Sequence, residues 1–507
     1  RNANAAISTG ANLLTAAPYS VTGAGFTAGI WDGGSVRSTH QEFGGRITIK
    51  DGGAFDDHAT HVGGTLGAAG VVARAKGMAP AVHIDSYEWN SDKSEMTSRG
   101  ASYPGEENTI YVSNHSYGYS SGWTYTGYSS PMWSWYGTGT SATGTDSSFG
   151  LYDSYARDTD ALAASLPYYL IFWAAGNDRT DNPETGDPVS LSTSTRSAVS
   201  YNPSTHPAGD GTYKNGYDLI ANDALAKNIL TIGAVEDAVS NGVRVLSKGT
   251  ITSFSSWGPT DDGRIKPDLV ANGAELYSSI ATSDTAYDTY SGTSMATPNA
   301  TGSALLLISW YDKLFPGQAM RASTLKGLLI QTADDLGTPG PDYQYGWGLI
   351  NVKAAADLIK AYSVSPGAHA LNESRLTSAS EVRAFPFKWD GVSPIRATLV
   401  WTDPAGAVAT AGSHTTRLVN DLDLKITDPA GTAHLPFVMP YTRDWTTASL
   451  SAAAITGTNN CDTVEQVLIA SPSAAGTYTA SVSCTGALTG TQAFSLIISG
   501  SASATAP

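Results

Sequence analysis

The chain has 507 residues, of which 45 are acidic and 29 are basic, so its formal net charge is −16. This acidity argues against binding to nucleic acid or to anionic membranes, because both partners require a basic surface. Two cysteines exclude a disulfide-rich scaffold and a multi-cysteine zinc module, and the sequence contains no apolar run long enough to predict a membrane span.

Short apolar runs alternate with helical patterns over the first 362 residues. The runs are rich in β-branched and aromatic residues, which is typical of parallel strands buried on both faces. They cover residues 26–31, 109–112, 168–173 and 229–235. The helices predicted between and after them cover residues 58–69, 151–165, 293–314, 321–333 and 352–361. This alternation predicts an α/β domain over residues 1–365, with a parallel sheet flanked by helices.

Two long segments, 119–150 and 179–217, interrupt this pattern with polar and small residues. Structureless loops of this length are uncommon, so each segment is functional, locally folded or an insertion on a permissive surface. The polar stretch 362–380 contains Pro and Gly and predicts a linker. The strands predicted beyond it cover residues 381–389, 396–401, 421–426, 464–469, 477–482 and 493–498. They predict an all-β domain over residues 366–507, a jelly roll or β-sandwich.

Three segments carry candidate catalytic side chains. Asp32 follows a predicted strand, at the sheet edge where α/β proteins place their sites. His58 opens a predicted helix, with His61 one turn later, but the pattern lacks the Glu and the third ligand of a metal site. Ser294 lies where a glycine turn enters a long apolar helix. Each signal alone is ambiguous, because strand-ending Asp-Gly turns and N-capping serines are common.

Together, segments 32–34 (DGG), 58–64 (HATHVGG) and 292–298 (GTSMATP) resemble the Asp, His and Ser motifs of the subtilisin-like serine proteases, the subtilase family. The chain order is the same. The serine segment matches the family pattern completely, whereas the histidine segment departs from it at Ala59 and Gly63, both small substitutions. Further segments that resemble the family are 174–177, 255–259, 262–268 and 346–351.

The resemblance implies a serine endopeptidase that cleaves peptide bonds through an acyl-enzyme intermediate. His58 would take the proton from Ser294 and return it to the leaving amine, while Asp32 orients the imidazole. Asn177 and the backbone N–H of Ser294 would stabilise the oxyanion. The alternative is an inactive protease scaffold that acts as a binding or adhesion protein, and the intact set of these four residues argues against it.

The segment 113–119 resembles the strand on which subtilases bind the substrate main chain by β-augmentation. A second segment, 173–176, would form the opposite wall of the first specificity pocket. Neither wall contains Asp or Glu, so we expect a broad or apolar preference at P1, the substrate residue before the cleaved bond. The candidate substrate-binding residues are Ser116, Tyr117, Gly118, Ala174, Ala175 and Gly176.

Calcium is the one cofactor that the resemblance implies. Many relatives bind it with an Asp shortly after the catalytic Asp, but segment 40–43 (HQEF) lacks that residue here. In the β-domain, segment 418–424 (LVNDLDL) resembles the β-sandwich of some alkaline subtilases and of kexin-type P-domains. The candidate calcium ligands are Asp403, Asn420, Asp421 and Asp423. The alternative is that Asp421 and Asp423 cap turns and face water.

Both cysteines, Cys461 and Cys484, lie in the β-domain. A disulfide between them would stabilise the fold by about 3 kcal/mol in the chain-entropy model. Export of the protein would favour the bridge, and the alternative is two free thiols.

A high content of Gly, Ser, Thr, Asn and Tyr with few Lys favours an exported protein. We therefore expect a secreted mature form from which a signal peptide and a propeptide have been removed. The expected partners are protein and peptide substrates, without nucleic acid or membrane, and the expected state is a monomer. The β-domain would stabilise the catalytic domain or, alternatively, bind substrate.

Overall fold

The computed structural model describes residues 1–127, 130–368, 370–440, 446–472 and 476–501. Its N-terminal part is built on a seven-stranded sheet in the order β7-β6-β5-β4-β1-β3-β2, and every pairing in it is parallel. The strands are β1 Thr27–Asp32, β2 Ile47–Ile49, β3 His83–Glu88, β4 Val112–His115, β5 Leu170–Ala174, β6 Leu230–Val235 and β7 Leu269–Asn272. The predicted parallel sheet is confirmed.

Helices cover both faces of this sheet. The helices are α1 Asn2–Thr9, α2 Ala11–Leu14, α3 Asp57–Gly67, α4 Asp92–Arg99, α5 Ser154–Ser165, α6 Thr293–Leu314, α7 Ala322–Gln331 and α8 Val352–Val364. Alternate residues of β5 enter two different cores: Leu170 and Phe172 pack with α3 and α6, whereas Ile171 and Trp173 pack with α5. The strand is therefore buried on both faces, as its unbroken apolar run predicts. Among the described residues, no helix is both long and apolar enough to cross a bilayer.

The two long polar segments fold locally. Four short strands from them form a separate sheet, and Trp123, Trp135, Val189 and Tyr201 form a small apolar cluster. These strands are Trp123–Tyr125, Trp133–Trp135, Pro188–Ser190 and Ala198–Ser200. Two hairpin-like pairs complete the N-terminal part, namely Val239–Ser240 with Val243–Arg244, and Leu276–Ser279 with Tyr287–Tyr290.

The C-terminal part contains two four-stranded antiparallel sheets, in the orders β8-β15-β10-β13 and β9-β14-β11-β12. The strands are β8 Leu371–Leu376, β9 Arg383–Lys388, β10 Ile395–Trp401, β11 Asp421–Thr427, β12 Ala433–His434, β13 Val464–Ile469, β14 Thr477–Thr485 and β15 Gln492–Ser499. A short pair, Phe437–Val438 with Ile455–Thr456, and the turn of helix Thr447–Leu450 lie outside them. An apolar core that includes Leu399, Leu424 and Leu496 draws on both sheets, so the predicted β-sandwich is confirmed.

The predicted linker over residues 362–380 is wrong in part. Helix α8 continues to Val364, and Leu371–Leu376 forms strand β8, paired along its whole length with β15. Only the two end residues of this strand are buried, so its sequence carries a weak strand signal, and the pairing comes from its tertiary neighbour.

The two parts share a continuous interface. Val400 and Ile497 of the sandwich belong to the same apolar cluster as Leu328 of α7. A Cβ atom on Gly327 would lie 2.5 Å from the Ile497 side chain, so this glycine allows close approach of the helix to the sheet. The ammonium of Lys227 also bonds the Asp403 carboxylate across the interface, with both side chains fully buried.

Candidate functional site

The carboxyl end of β1 and the first turn of α3 bring Asp32 and His58 together. Imidazole Nδ1 lies 2.9 Å and 3.0 Å from the two carboxylate oxygens of Asp32. Asp32 is 2 % exposed, and the Gly33 backbone N–H donates to its Oδ1 at 2.8 Å. Because a carboxylate can only accept, Nδ1 carries the proton, which leaves Nε2 of the neutral ring as an acceptor.

Two carboxylates, those of Asp32 and Asp56, stabilise the protonated form of His58. Burial opposes protonation of the ring, but the charge and hydrogen bond of Asp32 and the charge of Asp56 outweigh it and raise the pKa of His58. Asp56 is the N-cap of α3 and accepts from the Ala59 backbone N–H at 2.8 Å. One ligand atom from each of Asp32, Asp56 and His58 lies within 4.8 Å of the others, the one such group among the described residues that could hold a metal. Since Asp32 bonds the imidazole directly and Asp56 caps the helix, these atoms already have protein partners.

Ser294 lies in the first turn of α6, which begins after Gly292. Its hydroxyl donates to the Ser116 carbonyl at 3.2 Å, and no hydrogen bond joins it to His58 in the described part of the chain. Pro298 lies four residues further along α6 and has no N–H, so the Ser294 carbonyl lacks its helical donor. The Ser116 hydroxyl donates to that carbonyl instead, at 2.9 Å. Two bonds thus join the serine turn to segment 116–118.

The Asn177 side chain is oriented by the start of the same helix. Both the backbone N–H and the hydroxyl of Thr293 donate to Asn177 Oδ1, at 2.9 Å and 3.1 Å. A backbone N–H is always a donor, so the atom facing it must be the oxygen, and Nδ2 points away from the helix. The backbone N–H of Ser294 also lacks an intrahelical acceptor at this position. The arrangement offers two donors at the surface beside Ser294.

A cavity of about 200 Å³ opens beside these residues. The predicted substrate-binding residues Ser116, Tyr117, Gly118, Ala174, Ala175 and Gly176 all line it, together with Asn177 and Ser294. Neither predicted wall carries a carboxylate, but Asp178 also lines the cavity, which the sequence did not predict. Its Oδ2 accepts from the Ser256 hydroxyl at 2.7 Å, and burial raises the pKa of Asp178 to about 6.

Residues 36–348, more than half of the chain, match the sequence profile of the Subtilase family, peptidase S8. The chain belongs to the subtilase family. This confirms the predicted family, and the parallel sheet is the subtilisin-like fold that the motifs implied.

Relatives of this subtilase include several serine proteases. The Serine protease/ABC transporter B family protein tagA of Dictyostelium discoideum is 31 % identical over 235 residues, which are 41 % of this chain and 13 % of that protein. The Extracellular serine proteinase of Thermus sp. (strain Rt41A) is 29 % identical over 313 residues, 60 % of this chain and 55 % of that protein. Serine protease AprX of Bacillus subtilis (strain 168) is 32 % identical over 146 residues, which are 26 % of this chain and 31 % of that protein. The chain thus spans at most 55 % of the length of any of these three relatives.

A second cavity of about 500 Å³ lies beside the first, and Tyr117, Gly118 and Tyr119 line both. Its walls include the aromatic side chains of Trp89 and Tyr155, and the charged side chains of Asp92, Lys93, Asp158 and Asp223. The sequence did not predict this pocket, because its residues come from four separate segments.

Two of the four predicted calcium ligands have other partners. Asp403 bonds the Lys227 ammonium and accepts from the backbone N–H groups of Val419 and Asn420, at 2.9 Å and 2.8 Å. The Asn420 amide donates to Gln492 Oε1 at 2.7 Å, and its oxygen accepts from the backbone. We therefore correct the calcium prediction for Asp403 and Asn420, since an ammonium already neutralises the carboxylate and the amide is fully bonded.

Asp421 and Asp423 both lie on β11. Asp421 Oδ1 is buried without a hydrogen-bond partner among the described residues, and the same holds for Oε1 of the neighbouring Glu465. Burial, with the charges of Asp423 and Asp403, raises the pKa of Asp421 to about 7. Thr485 donates to Asp423 at 2.8 Å. These oxygens are hard ligands of the kind that calcium prefers, but those of Asp421, Asp423 and Glu465 do not all lie within 4.8 Å of one another.

The predicted disulfide between Cys461 and Cys484 is absent, because both residues are free thiols. Cys484 lies on β14 opposite Leu422, with its sulfur 3.7 Å from the Thr485 carbonyl. The sulfur of Cys461 faces the side chain of Asn460 at 3.6 Å. Each sulfur therefore faces a local oxygen atom. Burial, together with the charge of Asp462, raises the pKa of Cys461 to about 12.

Proposed function

We propose that this subtilase is a serine endopeptidase in which Asp32, His58 and Ser294 form the catalytic triad. The observation that carries the proposal is the hydrogen bond from His58 Nδ1 to the buried Asp32 carboxylate, in a chain of this family. It leaves Nε2 unprotonated and holds the ring in one orientation. A serine hydroxyl is a weak nucleophile without such a base, so the imidazole supplies the missing function.

The reaction begins when the Ser294 hydroxyl leaves the Ser116 carbonyl and turns towards His58. Such catalytic hydrogen bonds often close only when substrate is bound. His58 then accepts the proton as Ser294 Oγ attacks the peptide carbonyl. The same proton passes to the leaving amine, and Asp32 stabilises the imidazolium between the two steps. Water repeats the sequence to release the acyl group.

The oxyanion that forms on the substrate carbonyl is stabilised by two donors, Asn177 Nδ2 and the Ser294 backbone N–H. Thr293 supports this role because its two donors hold the other end of the Asn177 amide. A donor fixed before the reaction needs no reorganisation when charge develops. Loss of the side-chain donor at this position in subtilisin reduces turnover by about 10²–10³-fold.

An extended substrate would pair with the main chain of segment 116–118 and place its P1 side chain in the cavity of about 200 Å³. We propose a broad or apolar P1 preference, because both walls lack charged residues. Asp178 also lines this cavity, but its Oδ2 already accepts from the Ser256 hydroxyl, which competes with a basic side chain for that oxygen.

The decisive experiment labels the protein with a fluorophosphonate and compares wild type with Ser294→Ala. Labelling and peptide hydrolysis should both be lost in the variant. A folded wild type that neither labels nor cleaves a denatured proteome would favour the alternative, an inactive scaffold that binds other proteins. Strict cleavage after Arg or Lys would refute the P1 assignment.

We further propose two domains with a boundary near residue 365, a secreted monomer and a structural calcium ion held by Asp421 and Asp423. The support for this proposal is that Asp421 Oδ1 and Glu465 Oε1 are buried without a hydrogen-bond partner among the described residues, and binding would have to draw these carboxylates closer together than they now lie. The shared apolar interface supports a stabilising role for the β-sandwich. A melting temperature that is unchanged by chelator in both wild type and Asp421→Asn would contradict the calcium proposal.

A further inference from the structure

A row of hydrogen-bonded side chains lies beneath segment 116–118. The Tyr169 hydroxyl is 2.5 Å from Ser113 Oγ, which is 2.8 Å from Nε2 of His115. Nδ1 of His115 is 3.0 Å from the Tyr117 hydroxyl, and that hydroxyl is 2.7 Å from Asp92 Oδ2. Tyr169, Ser113 and His115 are at most 1 % exposed, so water does not compete for these bonds.

The chemistry of the row fixes the direction of every bond. Asp92 accepts, so the Tyr117 hydroxyl must donate to it and can only accept from His115. Burial lowers the pKa of His115 well below its ordinary value, so the ring is neutral and Nδ1 carries its single proton. Nε2 therefore accepts from Ser113, which in turn accepts from Tyr169. All donors point towards Asp92, an order in which neighbouring bonds strengthen one another.

Tyr117 is held at both ends. Its hydroxyl is bonded as described, while its backbone carbonyl accepts from the Trp173 indole N–H at 2.8 Å. The His115 ring stacks against Trp173, with ring centres 4.6 Å apart and planes 8° apart, so it cannot tilt to follow a moving phenol. Tyr117 lies between Ser116 and Gly118, whose main-chain groups face the proposed substrate. Fixing Tyr117 fixes both neighbours.

We propose that Asp92, acting through the Tyr117 hydroxyl, is a positioning residue that holds segment 116–118 in the geometry an extended substrate requires. The inference rests on the proposed function, because it assumes that a peptide pairs with this segment. The Lys93 ammonium lies 3.4 Å from Asp92 Oδ2, the same oxygen that accepts from Tyr117, and it also bonds Asp223 at 2.6 Å. The anchor of the segment therefore lies on helix α4, outside the catalytic residues.

The test compares two substrates in steady-state kinetics. An extended peptide anilide uses segment 116–118, whereas p-nitrophenyl acetate is too short to reach it and needs only the nucleophile and its base. We expect Asp92→Ala and Tyr117→Phe each to raise KM for the peptide roughly tenfold, the effect of one buried hydrogen bond, and Asp92→Ala to leave kcat and ester hydrolysis nearly unchanged. Asp92→Asn should recover most of the peptide affinity, because its amide oxygen still accepts from Tyr117.

A double-mutant cycle separates positioning from general destabilisation. If Asp92 acts through Tyr117, adding Asp92→Ala to Tyr117→Phe should cause no further rise in KM. Tyr152→Phe is the matched control, because the Tyr152 hydroxyl is buried and also donates to an aspartate, Asp160, at 2.7 Å, away from both cavities. It should leave peptide KM unchanged.

Three results would each overturn the proposal. The first is an equal loss of peptide and ester hydrolysis in Asp92→Ala, and the second is a further rise in KM when Asp92→Ala is added to Tyr117→Phe. The third is a wild-type peptide KM in a folded Asp92→Ala. Should Tyr117→Phe fail to fold, the comparison of Asp92→Ala with Asp92→Asn decides alone. Failure of the wild type to react with a fluorophosphonate would instead refute the endopeptidase function, which keeps the two failures distinct.

Discussion

Asp56, the second carboxylate beside His58, leads to a prediction about the pH dependence of activity. A carboxylate oxygen of Asp56 lies within 4.8 Å of a ring nitrogen of His58, whose side chain is 37 % exposed. Replacing Asp56 with Asn removes this charge and keeps an oxygen that can accept from the Ala59 backbone N–H, so the helix cap survives. The variant therefore isolates the electrostatic contribution.

The size of the effect follows from Coulomb's law. At this distance and with the full screening of water, one unit charge changes the energy of the imidazolium by about 0.9 kcal/mol. That energy corresponds to roughly 0.6 of a pKa unit. Partial burial of the pair would increase the effect, and added salt would reduce it.

The sign is set by the role of His58 as a base. Activity requires the neutral ring, so kcat/KM falls as the pH drops through the pKa of His58 in the free enzyme. Asp56 raises this pKa by stabilising the imidazolium, and its removal lowers it. We therefore expect Asp56→Asn to shift the acid limb of the kcat/KM profile to lower pH by roughly half a unit.

The assay is hydrolysis of a peptide anilide from pH 4 to pH 9 (about the working range of a histidine base) at low and high salt. Asp57→Asn is the matched control, because Asp57 is the next residue, is exposed and does not contribute to the pKa shift of His58. Its profile should overlay the wild type. An acid limb that stays in place in Asp56→Asn, or that moves equally in both variants, would refute the reasoning.

Three other predictions test the oxyanion donor, the domain interface and the thiols. Asn177→Ala should lower kcat by about 10²–10³-fold with little change in KM, as steady-state kinetics would show. Lys227→Met leaves the buried Asp403 carboxylate unpaired and should reduce the free energy of unfolding by about 3–5 kcal/mol in denaturant titrations, whereas an unchanged stability would refute the buried pair. Cys461 and Cys484 should both titrate with a thiol reagent after denaturation without reductant, and a count of zero would restore the disulfide.

Several elements could be predicted from sequence because one local signal dominated each. Helix α6 covers Thr293–Leu314 as predicted, since a glycine turn precedes a long apolar run. The strand pattern of the sandwich was also largely correct. Strand β3, His83–Glu88, was missed because polar residues interrupt its apolar pattern, although all but its two end residues are buried. Strand β8 was mistaken for a linker for a related reason, since it is paired but mostly not buried.

The residues of the candidate site could be predicted from local motifs, whereas their surroundings could not. Asp32, His58, Asn177 and Ser294 lie in short motifs whose residue types carry the chemistry, so the sequence by itself determined the family, the order of these residues and the expected reaction. Only the tertiary structure decided what surrounds them. It pairs Asp403 with Lys227 instead of a metal ion, because the partners of a buried carboxylate depend on which chain segments meet, and those segments are far apart in the sequence. For the same reason it joins α4 to segment 116–118 through hydrogen bonds that no local pattern encodes.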